Sequence, residues 1–93
     1  PRQAYKDLLK KANEAYLKQD YIKQLSYLQQ ALKLEQNSSI YRSLYTAYKE
    51  LKQYNEALVC YEEEIKTYEA RVREWEIQRA RETLKRHNAT LND

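Results

Sequence analysis

The chain has no glycine, no phenylalanine and no methionine, and one proline, one cysteine and one histidine in 93 residues. Without Gly or Asn-Gly pairs, the tight turns that join β-strands have no residues to build them, which argues against a β fold. A single thiol, Cys60, cannot close an internal disulfide, so the chain suits a reducing compartment, cytoplasmic or nuclear. His87 and Cys60 are far apart in sequence and make no metal-ligand spacing. No Gly-rich loop is available to cradle a phosphate. The adjacent carboxylates Glu62, Glu63 and Glu64 point around a helix and do not converge on a substrate. These absences leave no catalytic residue, no cofactor site and no metal site to name, so the expectation is a protein that is not an enzyme. No apolar run nears the roughly 20 residues a membrane span needs, and no signal peptide is visible, which argues against a membrane partner. The start at Pro1 with no Met anywhere has the look of an excised or processed piece.

What is present favours helix. Lys, Glu, Gln, Leu and Ala dominate, together with ten tyrosines. The net charge of +3 arises locally: between Arg71 and Arg86 six basic residues stand against three acidic ones. Elsewhere both signs are mixed, as on solvated helix faces. Asn37-Ser38-Ser39 and Asn88-Ala89-Thr90 match the glycosylation tripeptide, a pattern that also arises readily by chance.

Apolar spacing divides the chain. Tyr5, Leu8, Leu9, Ala12, Ala15 and Tyr16 fall on one helical face, interrupted by Lys18-Gln19-Asp20, with Asp20 placed to cap the second helix. That second helix carries Leu25, Leu28, Ala31 and Leu32, and Glu35 to Ser39 reads as a loop. A third carries Ile40, Tyr41, Leu44, Tyr45 and Tyr48, and Asn55 is the expected cap of a fourth. From Leu58 through Tyr61, Ile65, Tyr68, Val72 and Trp75 the apolar spacing is an unbroken 3-4-3-4, the seam of a coiled coil. Nothing beyond Tyr68 breaks a helix, so the fourth is expected to run to about His87, with 88–93 fraying.

Shifting the chain by 33 residues lays Leu8 on Tyr41, Ala12 on Tyr45, Tyr21 on Tyr54, Leu25 on Leu58, Leu28 on Tyr61 and Leu32 on Ile65. A period near this length with two helices per unit points to stacked hairpins, each covering its neighbour's apolar face. The stretch Ala12-Asn13-Glu14-Ala15-Tyr16, Asp20-Tyr21, Leu25, Leu28 and Ala31-Leu32-Lys33-Leu34, echoed by Tyr54-Asn55-Glu56-Ala57-Leu58 and Tyr61, resembles the tetratricopeptide repeat family. The resemblance covers about residues 5–69. Gln24 and Glu64 stand where that family prefers alanine, Lys11 takes an apolar slot, and Gln19 and Lys52 replace the turn glycine. The closing proline is missing near Gln36 and Glu69, which lets the fourth helix continue.

The resemblance implies an all-α solenoid: two hairpins (about 5–37 and 38–69, together 1–69), then a long or capping C-terminal helix over 70–87. It also implies a concave groove for a peptide, lined by Lys6, Leu9, Asn13, Tyr16 and Leu17 from the first helix and Ser39, Arg42, Thr46, Lys49 and Glu50 from the third. Asn13 matches the family's clamp for chaperone C-terminal carboxylates, but Leu9 and Ser43 stand where lysine and asparagine are required. A leucine cannot hold a carboxylate, so that partner is rejected. Arg42 and Lys49 remain available to an acidic peptide. Tyr21, Tyr45, Tyr48, Tyr54 and Tyr61 fall on packing slots, leaving Tyr16 and Tyr41 spare for a partner.

Tyr68, Val72, Trp75 and Ile77 form an apolar line that two hairpins cannot cover, so the last helix either folds back as a cap or projects to pair with another helix. The combined expectation is a protein-binding scaffold that takes a peptide or helix in its groove and self-associates, as a homodimer, through the last helix. Two other readings stand beside it. One is a nucleic-acid binder using Arg79, Arg81 and Arg86, against which the interleaved glutamates and the missing aromatic platform weigh. The other is a plain helical-bundle adaptor resembling microtubule-interacting and transport modules.

Overall fold

The computed structural model describes residues 2–92, with side chains described through Asn88. The described residues form four helices and no strand: α1 (Arg2–Leu17), α2 (Tyr21–Leu34), α3 (Ser38–Glu50) and α4 (Tyr54–Asn92). Each helix packs on its neighbours in sequence: α1 on α2, α2 on α3, α3 on α4. Among the described residues no other pair of helices approaches within 8 Å between Cα atoms. A closed four-helix bundle would bring α4 back against α1, so the arrangement is an open series.

The turns explain why the helices stop where they do. At the end of α1, Gln19 N–H donates to Tyr16 O and Asp20 N–H to Ala15 O. At the end of α3, Lys52 N–H donates to Lys49 O and Gln53 N–H to Tyr48 O. Both are Schellman closures, which need one residue in the left-handed region. That residue is Gln19 (φ 59°) in the first and Lys52 (φ 63°) in the second, the two positions where the turn glycine is replaced. The same non-glycine turn thus recurs one sequence period apart. Asp20 caps α2 by accepting from Lys23 N–H at 3.2 Å, as expected. Asn37 caps α3 from an extended backbone, accepting from Ile40 N–H at 3.0 Å. The fourth helix differs from expectation: it begins at Tyr54, and Gln53 O accepts its first bond from Ala57, so Asn55 lies inside the first turn. The Schellman closure at Lys52 puts the cap at Gln53, two residues before the expected one.

Tyr5, Ala12, Leu28, Ala31, Ile40, Leu44 and Cys60 form the buried cluster, with Leu8, Leu9, Leu25, Leu32 and Tyr45 packed around it. Tyr5 is the one tyrosine buried among the described residues, and its hydroxyl is matched: Asn37 Nδ2 donates to it at 2.7 Å. One asparagine therefore caps α3 and ties α1 to the loop before it. Cys60 is a free thiol packed in this cluster.

The last helix runs unbroken for 39 residues, about 58 Å at 1.5 Å per residue. It accounts for the 63 Å long dimension and for a radius of gyration of 18.6 Å, where a compact chain of this size gives about 12 Å. Residues 68–88 are all exposed, so this segment projects and does not fold back. Helical backbone continues through Asn92, across most of the stretch expected to fray, and Asp93 lies outside the described residues. Two tyrosines expected in the core are not there. Tyr54 and Tyr61 stay exposed at the edge of the α3–α4 contact, where Tyr61 meets α3 on one side through the Tyr45 ring, 5.6 Å away between centroids.

Candidate functional site

Although α1 and α3 do not touch backbone to backbone, they face each other across a cleft of about 400 Å³ whose floor is α2. From α1 come Leu9, Asn13 and Tyr16, and from α3 come Ser39, Arg42, Ser43 and Thr46. These positions converge because each helix turns one face inward at three- and four-residue steps. Of the groove residues expected from the sequence, Leu9, Asn13, Tyr16, Ser39, Arg42 and Thr46 meet here. Lys6, Leu17 and Glu50 are exposed and outside the lining. Lys49 is also elsewhere, with its Nζ 5.4 Å from the centre of the Tyr45 ring. Tyr41 packs half-buried near Glu63 and Cys60; burial first, then those two neighbours, pushes its hydroxyl pKa above the ordinary 10.0.

The floor holds what sequence reasoning passed over. Tyr5, Ala12, Leu28 and Ile40 give it an apolar base, and among them sits Gln24, only 5 % exposed. Its Oε1 is shut from solvent and receives no hydrogen bond from the described residues. A carboxamide where the repeat pattern prefers a small apolar residue is the available signal, because buried polar groups are nearly always paired. The cleft is otherwise mild in charge. Arg42 at its edge is already engaged with Glu64 of α4 at 3.4 Å. Tyr16 presents its ring at the other end, edge-on to Tyr21 with centroids 6.4 Å apart.

The C-terminal residues Tyr68, Val72, Trp75 and Ile77 are all exposed along α4, well away from this cleft. Arg79 lies over the Trp75 ring at 5.3 Å. Cys60, buried against α3, has its thiol pKa raised above the ordinary 9.0, first by burial and then by Glu63, so it stays protonated and unreactive at neutral pH. Among the described residues no three His, Cys, Asp or Glu side chains group to hold a metal, and no helix is long and apolar enough to cross a membrane. In comparisons with known proteins, no family model, no curated protein and no solved structure matches this chain.

Proposed function

We propose that the chain is a non-catalytic scaffold of two tetratricopeptide-like hairpins that holds a peptide or a helix from a partner protein in the cleft between α1 and α3. The observation that carries this reading is Gln24. A buried acceptor without a donor costs about 1–3 kcal/mol, a cost that a folded chain sheds when a ligand supplies the missing bond. The terminal torsion of a glutamine is broad and roughly two-fold, so the amide can turn to present either its oxygen or its NH₂ to a ligand at little torsional cost. A partner that lays an apolar side chain on Leu9, Ala12, Leu28 and Ile40 and offers an N–H or O–H to Gln24 satisfies both features of the floor. The serial packing and the twice-repeated turn support the hairpin-repeat architecture, which leaves such an inner face open.

Arg42 gives a modest bias toward acidic residues at the cleft edge, tempered by its pairing with Glu64. Selection of binders from a random peptide library displayed on phage tests the proposal. Selected peptides should lose at least tenfold in affinity for Leu9→Glu and for Thr46→Arg, both checked for intact helix content, and bind Trp75→Ala as they bind the parent chain. Peptides indifferent to both cleft substitutions would remove this site from consideration.

A further inference from the structure

We propose that the outer face of α4 pairs, antiparallel, with the same face of a second copy of this chain, each Trp75 seating beside Leu58 of the other copy. This rests on the exposed face of α4 and is independent of the cleft between α1 and α3. Leu58, Tyr61, Ile65, Tyr68, Val72 and Trp75 are all exposed, and their 3-4-3-4 spacing is that of a two-helix seam. The internal repeat supplies a control. Leu25, Leu28 and Leu32 hold the matching places on α2 and are buried or half-buried; all six of the α4 set are exposed, although Tyr61 meets Tyr45 of α3 ring to ring at 5.6 Å. Three of its six residues are aromatic, each carrying roughly 150–250 Å² of surface. The stripe therefore offers several hundred Å², on the order of the ~800 Å² per partner found in stable complexes.

The occupant follows from the other end of the molecule. The helix lying on α2 is α3, so a head-to-tail stack would lay α1 of a second copy on α4. In α3 the residues buried by having a helix on both sides are Ile40, Leu44 and Ala47. Their counterparts in α1 are Asp7, Lys11 and Glu14, charged and exposed. Docking α1 there would strip water from three charges, which excludes the stack. The seam is left to pair with itself.

Charge then sets the direction. A parallel, in-register pair continues past Trp75 into Arg79 against Arg79 and Glu82 against Glu82. The antiparallel pair matches Leu58 with Trp75, Tyr61 with Val72 and Ile65 with Tyr68 of the second copy, and carries Arg79 and Glu82 beyond the seam. On one rim it brings Arg71 of the second copy toward Glu64, whose Oε1 already pairs with Arg42 of its own chain. On the other rim Glu62 faces Glu69 of the second copy, a like-charge contact that weakens the pair without reversing it. The end of the seam is shaped for its largest side chain. Beside Leu58 lies a cleft of about 300 Å³ walled by Tyr45, Tyr54 and Tyr61, with Lys49 at its edge. An indole entering it is walled by rings and meets a cation, the setting of an interface anchor. A two-fold pair of this kind closes and does not propagate.

Sedimentation equilibrium of the whole chain from micromolar to submillimolar concentration tests the pairing. The parent chain should dimerise, and Trp75→Glu and Tyr68→Glu should each weaken association by at least about 30-fold. Both side chains are exposed in the monomer, so far-ultraviolet circular dichroism in dilute solution should show helix content unchanged. Direction is read separately from spin labels on Lys85→Cys in a Cys60→Ser background. The antiparallel pair separates them by about 55 Å, counted at 1.5 Å per residue. A parallel pair brings them near the ~10 Å between packed helix axes. A monomeric parent chain, dimers that survive both glutamate substitutions, or closely spaced labels each overturn the proposal.

Discussion

α2 and α4 occupy the same place in consecutive hairpins and carry matching apolar residues, yet their fates differ. Leu28 is 2 % exposed, and Tyr61, its counterpart one period later, is 47 % exposed. Ala31 is sealed, and Glu64, its counterpart, is a half-buried carboxylate paired to Arg42. For Leu28 and Tyr61 the neighbours cause the difference; for Ala31 and Glu64 the carboxylate itself adds to it. α2 lies between two helices, whereas α4 has one. Periodicity marks which side chains share a face, and only the next element determines whether that face is dry.

The sharpest way to break the comparison is to truncate both members of a matched pair. Leu28→Ala should cost about 2–5 kcal/mol in urea unfolding, because it opens a cavity in the cluster. Tyr61→Ala, in dilute solution, should cost less, about 1 kcal/mol, since a half-exposed ring loses chiefly its contact with Tyr45. Equal costs would mean that α4 is covered after all. Next in size is Asn37→Ala, which removes a cap and the donor to Tyr5 together; a loss of about 1–2 kcal/mol is expected. Tyr5→Phe should recover part of that loss in the double substitution, because the two share one hydrogen bond.

Titration sharpens the picture at the α3–α4 contact. The folded pKa values of Cys60 and Tyr41 are raised, so the folded state holds these protons more tightly than the unfolded one. Stability should be level near neutrality and fall as pH rises above the ordinary thiol value of 9.0. Cys60→Ala should flatten the start of that fall, measured as urea midpoint against pH. The smallest effect is at the turns. Lys52→Gly relieves a left-handed side chain, worth roughly 1–2 kcal/mol, but adds unfolded-chain entropy of about 0.5–1 kcal/mol. A net gain of at most about 1.5 kcal/mol is expected there, and an equal gain from Gln19→Gly would show that the two turns are physically alike.

Much of the fold is legible in the sequence because it is local. The four helices, the cap at Asp20, the interruptions at Gln19 and Lys52, and the continuous run past Tyr68 all come from spacing and from missing breakers. The features that escape a sequence reading depend on distant partners. Tyr54 and Tyr61 hold packing positions in the pattern, and nothing in their own segment says that α3 leaves them half-open. The Tyr5–Asn37 bond links residues 32 apart, so no local window contains it. For the cleft, the register brings Leu9, Asn13, Tyr16, Arg42 and Thr46 together, but it puts Lys49 one face away from where it lies. Gln24 shows in the sequence only as a departure from the repeat pattern; its missing donor is a three-dimensional fact.

Because each helix touches only the next one along the chain, the search for native contacts is short. Every loop that must close is a hairpin between adjacent segments, and closure entropy grows only slowly with length. Helical chains with such short-range contacts fold on microsecond to millisecond timescales. The hairpins should assemble like teeth of a zip, from either end, and the free half of α4 should exchange its amide hydrogens orders of magnitude faster than α2 does.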